Sequence, residues 1–102
     1  MNRAIEFHEA ARDELREAAR WYESRLEGLG EELLETVEAA LERAARGALP
    51  GLAPREPGRP ATQRILLQRF PYTIHFEMGE GSLFVWAVAH AKRRPGYWQG
   101  RA

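Results

Sequence analysis

The sequence predicts an α+β fold of order β-α-α-β-β-β, in which a helical hairpin packs on one face of a mostly antiparallel four-stranded sheet. Three observations predict it. Apolar residues alternate up to His8 and then recur with a helical period from Glu9 onward. The glycines of Gly28-Leu29-Gly30 divide the helical stretch in two. After a loop dense in proline and glycine, strand-like sequence occupies the chain from Gln63 to His90.

The first strand covers residues 3–8, with Ile5 and Phe7 on one side and Glu6 and His8 on the other. The first helix follows from Glu9. Its stripe is Ala11, Leu15, Ala18, Tyr22, Leu26 and Leu29, about five turns long. Glu9, Asp13 and Glu14 suit the positive end of its dipole, and the helix glutamates together read as a solvated face without a chemical role. The second helix runs from about Glu31 to Arg46, burying Leu33, Leu34, Val37, Leu41 and Ala44, and Gly47 ends it. So short a connection makes the two helices antiparallel neighbours whose remaining apolar surface needs a sheet. Residues 47–61, with Gly47, Gly51, Gly58, Pro50, Pro54, Pro57 and Pro60, form a loop.

Three strands close the pattern: Gln63 to Phe70, Tyr72 to Met78 and Ser82 to His90. Pro71 lacks a backbone donor and separates the first two, while Gly79-Glu80-Gly81-Ser82 joins the last two as a hairpin. Leu83 to Ala89 is apolar on both faces, which places this strand centrally and requires a cover for its second face, either the C-terminal segment or a partner.

A chain of 102 residues supports one core, so residues 1–102 are expected to form a single domain. A hydrophobic share of 44% and a charged share of 29% exclude a disordered chain. No apolar run nears the roughly 20 residues a membrane-spanning helix needs. The first residues enter patterned sequence with no apolar export segment, so the expected location is the cytoplasm. The absence of cysteine excludes disulfides and thiol chemistry. His8, His75 and His90 show no metal-ligand spacing, and neither a metal nor another cofactor is expected.

Net charge is zero but unevenly spread. Residues 1–46 hold 12 of the 15 acids and 7 of the 15 bases, a net −5, and residues 47–102 hold 3 acids and 8 bases, a net +5. Such segregation builds a local anion-binding face on a neutral protein. The stretch from His90 to Arg101 concentrates it: His90 at a strand end, then Lys92, Arg93 and Arg94, then Tyr97-Trp98 and Arg101. Arginine with stacking aromatics suits RNA, and equally suits a protein partner. Tyr97 and Trp98 as lids of the sheet, beside solvated cations, is the third reading. His75 shares a strand face with Thr73 and Glu77, where it serves as a structural residue, or else as a phosphate contact or proton-transfer group. Arg64 and Arg69 flank the neighbouring strand and either assist an anion site or protect an edge.

Several of these pieces resemble the RelE/ParE superfamily of bacterial type II toxins. They are Ala18-Ala19-Arg20-Trp21-Tyr22-Glu23, Gly28-Leu29-Gly30, Arg69-Phe70-Pro71-Tyr72 and Ala87-Val88-Ala89-His90, followed by Arg93, Pro95, Tyr97-Trp98 and Arg101. The resemblance spans residues 4–101, in the order of the derived elements. It implies a RelE/ParE-like fold and a cognate antitoxin protein as partner. RelE-like members cleave mRNA, usually in the ribosome, without metal, and growth arrest by such cleavage is the expected function; the alternatives are poisoning of DNA gyrase, as by ParE-like members, and an inactive member that only binds its antitoxin. By the resemblance, His90, Arg93 and Tyr97 are the candidate catalytic residues of an endoribonuclease. Arg64, Arg69, His75, Lys92, Arg94, Trp98 and Arg101 are then candidates for binding RNA or another target. The arginine that commonly follows the Pro-Tyr pair in the RNase branch is Thr73 here. A pI near 6.8 argues mildly against a strong RNA binder. An antitoxin helix or extended segment would cover the working face, and without it the apolar surface would support a homodimer.

Overall fold

A computed structural model describes residues 3–54 and 61–102. Its elements are β1 (Ala4–Phe7), α1 (Glu9–Arg25), α2 (Leu29–Ala45), β2 (Thr62–Leu66), β3 (Tyr72–Met78) and β4 (Ser82–His90). The strands form one sheet of order β1-β4-β3-β2. β2, β3 and β4 pair antiparallel, and β1 lies parallel to β4 at the edge. The expected α+β architecture and the central place of β4 are as the sequence indicates. Among the described residues no helix is long and apolar enough to cross a membrane.

The start of α1 is capped by the chain itself, because the His8 Nδ1 accepts from the Ala10 N–H at 3.0 Å. The helix then stops at Arg25, four residues short of the Leu29 end expected from the apolar stripe. The reason is the turn. Gly28 takes a left-handed φ of 89°, and Glu23 reaches forward to accept from the N–H groups of Gly28 and Gly30 at 2.9 and 3.0 Å. These contacts start α2 at Leu29, two residues earlier than expected, and leave Leu26 exposed instead of buried. Gly30 packs against the Ala19 carbonyl, with no room for a Cβ, so the two helices approach closely at their turn.

The core lies between the hairpin and one sheet face. Leu33, Val37, Leu41, Ala44 and Ala45 of α2 and Ala11 and Ala18 of α1 meet Ile65, Ile74, Phe76, Leu83, Val85 and Val88. Leu34, expected in the buried stripe, is 39% exposed at its margin. β2 ends at Leu66 and not at Phe70, because residues after it turn so that Phe70 drops into the core, edge-on to Tyr22 at 5.1 Å. In the preceding loop Leu52 forms an isolated bridge to Arg64. The loop expectation at Pro57, Gly58 and Pro60 lies outside the described residues.

A bulge sets up the second face. His75 pairs with Ala87 but Phe76 pairs with Val85, so Trp86 is the extra residue on β4. Beyond it the alternation shifts: Val88 joins the helix-side core, while the buried Ala87 and Ala89 do not. Two alanines there leave space for a large ring to lie over the sheet.

Candidate functional site

Residues 91–102 supply that ring. After His90 the chain runs through local turns, with the Arg93, Tyr97, Gln99 and Arg101 N–H groups donating to the carbonyls of His90, Arg94, Gly96 and Trp98. Gly96, at a φ of 75°, makes the bend an L side chain would resist. Trp98 is 2% exposed and stacks on His75, ring centroids 4.7 Å apart and 28° between planes. The C-terminal segment therefore covers β4's second face, the first of the two covers the sequence allowed. The Trp98 indole N–H finds no acceptor among the described residues.

The segment is tied to α1 by one carboxylate. β1 pairs with β4 only as far as Val85. Past that point Glu14 accepts from the Val88 N–H at 3.0 Å, and Arg101 donates to the Trp86 carbonyl at 2.8 Å. Glu14 and Arg101 meet in a two-pronged ion pair, 2.7 Å at its shorter contact, and the Tyr97 hydroxyl donates to Glu14 at 2.6 Å. Burial pushes the Glu14 carboxyl upward, but the hydrogen bonds from Arg101, Tyr97 and Val88 outweigh it and hold the group below the usual carboxylate range. Burial first, and then the neighbouring Glu14, raise the Tyr97 phenol far above its ordinary value. The hydrogen bond to Glu14 raises Arg101. All three groups are thus fixed as carboxylate, neutral phenol and guanidinium across the neutral range.

His90, Arg93 and Tyr97 do line one cleft, of about 120 Å³, together with Arg64, Thr73, His75, Arg94 and Trp98. Among the described residues no aspartate or glutamate lines it. Within it the Arg93 guanidinium lies over the Tyr97 ring, 3.8 Å from the centroid, with Arg101 5.2 Å from the same centroid. The His90 Nδ1 accepts from the Lys92 N–H at 3.0 Å, which leaves Nε2 to carry the proton of the neutral ring. The Arg64 Nε donates to the Ala53 carbonyl at 2.9 Å. Lys92 and Arg94 are exposed. Arg69 stands apart, 3.4 Å from Glu32 on α2 and over the Phe70 ring. Arg101 is turned to Glu14 and is not among the residues lining the cleft.

A second hollow, about 580 Å³, adjoins the cleft on the helix side and is lined by Trp21, Tyr22, Pro71, Tyr72, His90 and Arg93, among others. His90 and Arg93 form the wall between the two. Trp21 is 52% exposed there, edge-on to Tyr22, and burial raises the Tyr72 phenol.

Glu14 is the residue that sequence reasoning passed over as part of a solvated face. The signal was present. Glu14 lies three residues after Ala11 and four before Ala18, inside the apolar stripe, where a carboxylate requires hydrogen-bonding or charged partners.

A family model described as "ParE toxin of type II toxin-antitoxin system, parDE" matches residues 5–95. Among solved structures the chain is similar to one titled "Chromosomal ParDE TA system from P. aeruginosa", with a TM-score of 0.66 and 15% identity, covering 88% of this chain and 97% of that one. At that identity the likeness concerns the fold. No curated protein sequence matches.

Proposed function

The chain belongs to the ParE toxin family of type II toxin–antitoxin systems, and from that premise we propose that it arrests growth by binding DNA gyrase, not by cutting RNA. The observation that carries this reading is the Tyr97 hydroxyl, which is committed to Glu14 at 2.6 Å in a neutral form that neither gives up a proton readily nor points to a free substrate. Arg101 is likewise held against Glu14, and Thr73 stands where the RNase branch places a cation. Of the candidate set His90, Arg93 and Tyr97, the Tyr97 hydroxyl is thus withdrawn from the cleft, and RNA cleavage needs a paired acid and base.

What the end of the molecule does offer is a recognition surface. Lys92, Arg93 and Arg94 are exposed on a turn held by buried Trp98, next to the half-exposed Trp21. Cations and aromatics on a rigid support are the residues that dominate protein interfaces. The antitoxin partner would act by covering the hollow of Trp21, Tyr22 and Tyr72, which shares His90 and Arg93 with the cleft.

A metal-independent endoribonuclease is the second reading, favoured by the arginines and histidines that line the cleft with no carboxylate among the described residues. Induced expression in a bacterial host separates the two. Gyrase poisoning predicts intact transcripts and a DNA-damage response at the onset of arrest. Early transcript cleavage leaving cyclic or 3′-phosphate ends, with no damage response, would overturn the proposal in favour of the second.

A further inference from the structure

We propose that Glu14 is a positioning residue for target binding, acting through Tyr97 on Arg93. The relay is a sequence of contacts. The Glu14 carboxylate fixes the Tyr97 hydroxyl at 2.6 Å, and the Tyr97 ring fixes the Arg93 guanidinium at 3.8 Å from its centroid. Arg93 is itself exposed, and its side chain stands between the two hollows.

The segment needs such an anchor. Residues 91–102 contain no helix or strand, and the turns they make bind residues only three apart. Turns of that kind do not set where a segment lies on a sheet. Among the described residues its tertiary attachments include the Ala91 N–H to the Pro71 carbonyl, Trp98 on the sheet, Arg101 to the Trp86 carbonyl, His8 with Ala102, and the Glu14 cluster. The Glu14 cluster is the attachment that grips the hydroxyl of the ring under Arg93. It does so from a helix that is independently fixed, since α1 buries Ala11 and Ala18 in the core. Glu14 also grips the Val88 N–H of β4, so helix, central strand and terminal segment share one carboxylate. Side chains aimed by locked neighbours bind with less entropy to lose than freely rotating ones.

The proposal takes the surface of the Proposed function as its site, but its test is independent of which target that surface meets. Wild type, Glu14→Gln, Tyr97→Phe, Arg93→Ala and the doubles Glu14→Gln/Arg93→Ala and Tyr97→Phe/Arg93→Ala are compared for growth arrest at matched protein levels, and for hydrogen exchange in residues 91–98. The single changes Glu14→Gln and Tyr97→Phe are expected to weaken arrest by up to about tenfold, the scale of having to order one more rotamer-rich side chain on binding. Exchange in residues 91–98 is expected to rise while α1 and α2 stay protected. Each double should be no weaker than Arg93→Ala alone, because Glu14 and Tyr97 act through that arginine. A merely structural Glu14 would add its full loss to that of Arg93→Ala. Additive losses, full potency in folded Glu14→Gln and Tyr97→Phe proteins, or unchanged exchange would each overturn the proposal. If Glu14→Gln fails to fold, the Tyr97→Phe pair answers the same question with the ring retained. A wild type that arrests growth but leaves gyrase untouched would sink the gyrase reading and leave this cycle interpretable.

Discussion

Replacing Trp98 by alanine probes whether the terminal segment is part of the folded body. The residue is 2% exposed on a face that the helices do not touch. Its side chain removes about 200 Å² from water, worth about 5 kcal/mol at about 25 cal/mol per Å². Its indole N–H has no acceptor among the described residues, which takes back about 2 kcal/mol. Trp98→Ala should therefore cost about 3 kcal/mol, or roughly 12–24 °C in a domain of this size. Trp98→Phe gives up part of the area but also removes the unpaired donor, so its net cost should stay under about 1 kcal/mol. Urea unfolding followed by circular dichroism measures both. If Trp98→Ala costs less than about 1 kcal/mol, the segment is not packed on the sheet and the geometry of the cleft falls with it.

Two further predictions concern charge and the turn. The folded Glu14 value lies below its ordinary 4.5. The unfolded chain therefore takes up that proton first as pH falls, so the stabilisation is complete above pH 4.5 and is lost as pH drops through the folded value. Tyr97 has the opposite sign, its folded value being raised above 10.0, so its contribution is complete below pH 10.0 and is lost above it. Unfolding midpoints measured across pH should decline at both ends, and Glu14→Gln should flatten the acid limb. At the helix turn, Gly28→Ala should cost about 1 kcal/mol, because its φ is 89° and nothing crowds it. Gly30→Ala should cost about 1–3 kcal/mol through collision with the Ala19 carbonyl. Thermal melts of the two variants check the order.

The architecture was readable because apolar spacing is a direct record of which face is buried. Leu33, Val37 and Leu41 announce α2, and the alternation of Ile74 and Phe76 announces β3. Positions set by a single tertiary contact were not readable. The end of α1 depends on Glu23 capping the next helix, and the end of β2 depends on Phe70 turning inward. The bulge at Trp86, which moves Ala87 and Ala89 to the second face, has no local signature. For the site, the grouping of His90, Arg93 and Tyr97 follows from their short separation after a strand end. What each can do was hidden, because it depends on Glu14, more than eighty residues away from Tyr97 in sequence.

Purified wild-type protein added in excess to DNA gyrase, with relaxed plasmid and ATP, puts the account to its most direct trial. Supercoiling should fall as toxin is added, Arg93→Ala should inhibit less, and an RNA included in the same reaction should remain whole. Normal supercoiling at toxin excess, with the RNA cut, would contradict the account.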